Sequence, residues 1–266
     1  MNLSFYTATV GAIQQQDRLD VHANNIANVN TNGFRAKQPS FSQLMTGPVV
    51  GIEEDLARGV GARMEDAATD FRQSSLNGTE RSLDYAINGE GFFALLDPRT
   101  GEISYTRDGS FTLSELKGTE TVEVTVPPDP DDPFAEETTR TEVREASKWY
   151  LSDGMGRFVL GTDGRRIEIG SEEAEMANIP PQAIGVFDFI NRDGMLSLGD
   201  NRLIPVEKNG GVGIGNGEVV QGYLELSNAD LANELAKVIE SQRSFQYMLR
   251  MITTSDEIET TVNNLR

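Results

Sequence analysis

Little in this 266-residue chain combines the residue types and the spacing that chemistry requires. Its densest glycine run, Gly211-Val212-Gly213-Ile214-Gly215-Asn216-Gly217, has the outline of a phosphate-cradling loop. A dinucleotide fingerprint needs a strand before the glycines, a helix directly after them and an acidic residue about 20 positions on. Here Glu218-Val219-Val220-Gln221-Gly222 reads as another strand or turn, and no Lys-Ser/Thr pair follows the glycines. The run reads as a connection between strands. Asn191-Arg192-Asp193-Gly194 could fill positions three to six of a calcium loop, but position one would be Phe189, whose side chain has no oxygen. Position twelve would be Asp200 in place of glutamate, so a tight turn explains these residues better.

Composition removes most other chemistries. His22 is the only histidine, which leaves neither a His-rich metal centre nor a Ser-His-Asp triad with a second histidine in reserve. Zero cysteines exclude disulfides, thiolate zinc sites and cysteine nucleophiles together. Asp and Glu number 42, yet no spacing selects a carboxylate pair of the glycosidase type. Trp149 is a lone strand aromatic, and nothing beside it supports ligand stacking. The expectation is no catalytic residue, no metal, no cofactor and no small-molecule substrate. A net charge of -19 argues against nucleic acid or an anionic membrane surface as partner. No stretch reaches the roughly 18 to 20 apolar residues of a membrane span. The N-terminal stretch lacks the basic region, apolar core and cleavage site of a secretory signal. That test by itself points to the cytoplasm, and it misses export routes that cleave no signal.

The elements that carry the chain lie at its ends. Phe5, Ala12, Leu19 and Ile26 recur every seven residues, on one face of a helix that supercoils with a neighbour. Ala8, Gln15 and His22 hold the second seam position, a stripe too thin to stabilise an isolated helix in water. The helix ends in an Asn-rich exit, with Asn24, Asn25, Asn28 and Asn32 leading to Gly33 and Phe34. At the other end, Ser227 with Asp230 has the spacing of a capping-box start. Leu231, Leu235, Val238, Gln242, Phe245, Leu249 and Ile252 then follow in steps of three and four. A helix from Asn228 to Arg266 would hold about 38 residues and span roughly 57 Å, as in a coiled coil or packed filament element.

Between the ends, residues 31–70 read as a loop-rich connector with little strand, serving either as a subunit contact or as a linker. Residues 71–225 read as an antiparallel β-rich domain. Turn pairs such as Asn88-Gly89, Asp108-Gly109 and Asp153-Gly154 separate short apolar runs, Phe92 to Leu96 among them. Within it, residues 115–147 carry four prolines and a high density of acids, which predicts an exposed, partly disordered excursion. The expected fold class is α+β: a discontinuous helical coiled-coil domain from 1–30 and 226–266, plus the β-rich outer domain.

Three stretches carry a family resemblance. Leu19-Asp20-Val21-His22-Ala23-Asn24-Asn25-Ile26-Ala27-Asn28-Val29-Asn30-Thr31-Asn32-Gly33-Phe34 closely resembles the N-terminal signature of the bacterial flagellar rod and hook family. Ser82 to Phe93 and Tyr105 to Phe111 resemble its central motifs. Gln221 to Asn228, Ser241 to Phe245 and Thr254 to Glu257 resemble its C-terminal signature. Length and central motifs are more similar to the rod members than to hook protein, and the acidic Pro-rich stretch is atypical.

The resemblance implies a structural subunit of the flagellar axial rod, not an enzyme. Its terminal helices would pair as an inner domain with the β domain outside. Its partners would be copies of itself, other rod and hook subunits, and the flagellar export apparatus, which passes subunits without a cleaved signal peptide. The place would be the basal body, outside the cytoplasm. Two other classes stay open on residues alone: a secreted carbohydrate-binding or hydrolytic β domain with oligomerising ends, and an adhesin-like scaffold whose acidic loop docks a basic partner.

Overall fold

The computed structural model describes residues 3–48, 57–126, 138–169 and 179–265. Helix α1, Leu3–Ala27, lies antiparallel to helix α2, Leu231–Asn264. The direction follows from three pairings: His22 meets Glu234, Arg18 meets Glu240, and Gly11 meets Met248. Asp230, not Ser227, caps α2, its carboxylate accepting the Ala232 N–H at 3.0 Å. Such a cap stabilises a helix by about 1 kcal/mol. The Ser227 hydroxyl accepts instead from the Ala229 N–H at 3.2 Å, in the turn before the helix. The helix is therefore 34 residues long, shorter than its sequence pattern predicts.

The face that α2 turns inward also differs from expectation. Glu234, Ser241 and Ser255 are buried, with Val238, Phe245, Met248 and Ile252 half-buried between them. This stripe shares Val238, Phe245 and Ile252 with the predicted one but takes its other residues from the opposite flank. Leu231, Leu235, Gln242 and Leu249 are exposed. Hydrophobic periodicity chose the leucine flank, whereas hydrogen bonds to Glu234 set the helix's rotation. On α1, Ala8, Ala12, His22 and Asn25 are buried, Leu19 and Ile26 are half-buried, and Phe5 is exposed. Small residues on this face let the helices approach closely: a side chain at Gly11 would meet the Met248 sulfur at 3.2 Å.

Residues 31–70 are not loop-rich. Strands β1 (Lys37–Pro48) and β2 (Ala57–Thr69) form an antiparallel ribbon whose register runs from Lys37↔Thr69 outward, with three irregularities. Few apolar residues alternate here, so the strand period is hidden. The ribbon gains its support from α1, since two strands alone are marginal in water. Gly61 sits against Val10, and the Gln14 side-chain carbonyl accepts the Met64 N–H.

The remaining strands are antiparallel and, apart from β7 and β8, short: β3 (Leu76–Gly78), β4 (Tyr85–Asn88), β5 (Phe92–Leu96), β6 (Ile103–Thr106), β7 (Thr112–Val126), β8 (Thr138–Ser152), β9 (Phe158–Val159), β10 (Glu168–Ile169), β11 (Val186–Phe189), β12 (Leu196–Gly199), β13 (Arg202–Ile204), β14 (Val212–Ile214), β15 (Glu218–Gln221) and β16 (Tyr223–Glu225). The main sheet runs β10-β8-β9-β5-β6-β13-β12, with β7 on β8, β11 on β5 and β14 on β11. Pairs β15-β4 and β16-β3 complete the domain. Tyr85, Phe93, Phe111, Leu151 and Ile184 centre one core, and Phe92, Tyr105 and Phe189 a second.

Strands β7 and β8 revise the acidic excursion. They pair without interruption from Thr112↔Ser152 to Val126↔Thr138, so both flanks of the stretch are ordered hairpin arms. Thr and Val recur along 119–126, and β-branched residues favour a pleated strand over coil. The most Pro-dense part of that prediction, 127–137, lies outside the described residues.

Candidate functional site

Two buried polar clusters join the helices to the β domain. At the first, the Glu234 carboxylate lies between the helices and takes three partners: His22 Nδ1 at 2.6 Å, Asn25 Nδ2 at 3.1 Å and Lys237 Nζ at 3.0 Å. Burial works to raise this carboxyl's pKa, but hydrogen bonds from Asn25, Lys237 and His22 outweigh it and hold the group below its usual range. With Glu234 ionised, Nδ1 of His22 must be the donor, and its Nε2 has no hydrogen-bond partner among the described residues. Asn25 reaches further. Its amide donates to the Lys37 carbonyl at 2.8 Å and its carbonyl accepts the Lys37 N–H at 2.9 Å, which pins the start of β1 to α1.

The second cluster is the joint proper, where three chain crossings (33–37, 69–75 and 225–230) meet. Glu225, 1% exposed, is shared by two arginines: Oε1 faces Arg35 Nη2 at 2.8 Å and Oε2 faces Arg107 Nη1 at 3.1 Å. The Ser74 N–H donates to Oε1 at 2.8 Å. Arg35 also donates to the Arg72 carbonyl, and Arg107 donates to the Ile87 and Gly89 carbonyls and stacks over the Phe92 ring. Burial pushes the Arg107 pKa down to about 10 against the opposing pull of Glu225, so its guanidinium is charged at neutral pH.

Backbone geometry seats this joint. Gly33 has φ +66°, and a Cβ there would lie 2.5 Å from the Asp108 nitrogen, so only glycine fits. Its N–H donates to the Glu225 carbonyl at 2.8 Å, and Asn201 donates to the Asn32 carbonyl at 2.8 Å. Asn228 ties the third crossing: its amide donates to the Asp70 and Arg72 carbonyls, and its carbonyl accepts the Ala36 N–H.

The residues singled out from sequence therefore divide. Asn25, Asn32, Gly33 and Phe34 come together at the joint, with Phe34 buried beside Arg35. Asn24 and Asn28 serve the helix end, the Asn28 amide donating to the Asn24 carbonyl at 2.9 Å. Ala12 is buried and Leu19, Ile26, Val238, Phe245 and Ile252 are half-buried, whereas Phe5, Leu231, Leu235, Gln242 and Leu249 are exposed. Sequence reasoning missed Glu234, Arg35, Arg107 and Glu225. Each stands in or beside a motif, but pairs separated by more than a hundred positions leave no local signal.

The alternative chemistries gain nothing from the geometry. Trp149 packs against the first core on β8. The Asn191–Gly194 stretch is a turn closed by the Asp193 N–H on the Asn191 side chain. Gly217 fits tightly between Ile87 and the Glu90 carbonyl, as a strand connection does. Among the described residues no cluster of acids and histidine could hold a metal ion, and no helix is long and apolar enough to cross a membrane.

Comparison with known proteins agrees at both ends and in the middle. Residues 5–35 match the family model described as flagella basal body rod protein, and residues 220–265 match the C-terminal model of the flagellar basal body rod FlgEFG proteins. Residues 86–123 match the D1 domain model of flagellar hook protein FlgE/F/G. The chain is 31% identical to flagellar basal-body rod protein FlgG of Bacillus subtilis (strain 168), over 99% of this chain and 98% of that one. It is 30% identical to FlgG of Borreliella burgdorferi over 100% and 99% of the two chains. It is 26% identical to the flagellar hook-basal body complex protein FlhP of B. subtilis over 99% of each. Helical ends that converge on one joint, and relatives matched over their full length, place this chain in the flagellar basal-body rod family, whose members are structural subunits, most similar to the FlgG, or distal rod, type.

Proposed function

We propose that this chain polymerises with copies of itself into a helical axial shaft that encloses the export channel and transmits torque. The observation that carries the reading is the outward face of α2. Leu235 (46% exposed), Ile239 (53%) and Leu249 (44%) are apolar side chains left uncovered in a single chain, within about 80° of one another around the helix. Apolar surface of this extent marks a protein contact. Heterologous contacts between such faces that fail to close a ring generate a filament. In this reading 1–30 and 226–266 form the inner, supercoiled domain, and 71–225 the outer domain. Phe5, Leu231, Gln242 and the exposed leucines then contact neighbouring subunits.

Torque passes between the two parts through the Arg35–Glu225–Arg107 joint, where a rigid hydrogen-bonded network transmits force without a hinge. Other rod and hook subunits sit above and below, and the flagellar export apparatus delivers the chain outside the cytoplasm. The test is Leu235→Glu with Leu249→Glu. Both positions are exposed, so the chain should stay folded by circular dichroism while tubular assembly in electron micrographs is lost. Rods that form normally from the double variant would refute the assignment of this face.

A further inference from the structure

We propose that the cavity beside the Arg35–Glu225–Arg107 joint is a binding site for a small anion such as chloride. The cavity has a volume of about 40 Å³. That is more than the roughly 10–15 Å³ of such space that one water needs, so it admits a small anion. Its lining includes three cations, Arg35, Lys37 and Arg107, together with Thr69 and Ser197. No carboxylate is among the described residues that line it, in a chain whose net charge is -19. This local reversal of sign needs a reason.

The charge balance of the joint supplies one. Two guanidinium groups share the single Glu225 carboxylate in direct contact, while Glu90 and Asp188 attract Arg107 only from a distance and are held by Arg192. Arg35 is 6% and Arg107 5% exposed, and the Nε–H of each has no hydrogen-bond partner among the described residues. The carboxylate of Asp70 attracts Arg35 from a distance but is held by Arg72 at 2.9 Å and 3.0 Å. Orphaned buried donors are unfavourable. A water molecule in the cavity could accept from them; an anion accepts from them and also meets the three cations that line it.

The experiment is urea unfolding of the full chain at constant ionic strength, in sodium chloride, sodium bromide or sodium gluconate, whose anion is too large to enter. Above the dissociation constant, the folded-to-unfolded ratio should rise tenfold for each tenfold rise in halide. It should stay flat when gluconate carries the ionic strength. Arg107→Gln should remove the halide slope; a slope that persists in this variant would overturn the site. Should Arg107→Gln not fold, crystals of the unaltered chain soaked in bromide decide the matter. An anomalous peak between Arg35 and Arg107 supports the proposal, and a water at that position overturns it.

Discussion

Replacing Glu225 with glutamine tests whether the joint works as a shared-charge device. The glutamine side chain keeps one oxygen for the Ser74 N–H and Arg35, but its NH2 then faces Arg107 Nη1, which lies 3.1 Å from the present carboxylate oxygen. Two donors would confront each other with two buried guanidiniums and no counter charge. Removing one partner of a buried ion pair costs about 3–5 kcal/mol. Taking about 4 kcal/mol, the folded-to-unfolded ratio falls roughly a thousandfold. That is a large share of the about 5–15 kcal/mol that holds a protein folded. At about 2–4 °C per kcal/mol for a chain of this size, melting drops by about 8–16 °C.

Urea unfolding followed by Trp149 fluorescence reads this directly, since the single tryptophan packs against the β core. The sharper test is the cycle with Arg107→Gln. Removing the second arginine relieves part of the uncompensated charge, so the two substitutions should be less than additive by about 1–3 kcal/mol. A loss under about 1 kcal/mol for Glu225→Gln, or strict additivity, would refute the shared-charge argument.

Three further outcomes follow from the same geometry. Asn25→Ala leaves the Lys37 N–H and carbonyl and one Glu234 contact without their partner, and should cost about 2–4 kcal/mol in a urea melt. The Glu234 carboxyl is held below the usual 4.5 of a glutamate, so its contribution is fully present above that pH and fades as pH falls through the lower folded value. Glu234→Gln should therefore be clearly less stable at pH 7, with the gap to the unaltered chain narrowing in acid; a pH-independent gap would contradict this. Gly33→Ala forces a Cβ against the Asp108 backbone at φ +66° and should lower the melting temperature by several degrees, with Gly101→Ala as a milder control because open space surrounds it.

Much of the architecture was legible because it is written in local patterns. Asx-Gly pairs require backbone that only short turns use, and they mark the β domain; Phe92 to Leu96 is a strand because five apolar residues lie between two such turns. The Asn-rich exit is legible too, since Gly33 can be nothing else at its φ. Residues 37–69 were misread because neither strand alternates apolar with polar residues. Their support is the side of α1, and support from another element leaves no period in the sequence that receives it. Residues 115–126 and 138–147 were misread for a related reason: charge density was weighed over the β-branched content that pairs them.

What the sequence determined by itself is that both ends are helical, that the middle is antiparallel β, and that the chain has no cysteine and a single histidine. Those conclusions rest on residue types and on periods within one element. Only the tertiary structure decided which face of α2 turns inward. Glu234 is one residue from Leu235, and about 100° of helix rotation separates them. The choice falls to Asn25 and His22, more than two hundred positions away. The same holds for Glu225 between Arg35 and Arg107. A buried charge is tolerable only where opposite charges converge on it, and that convergence is a property of three chain crossings meeting at one point.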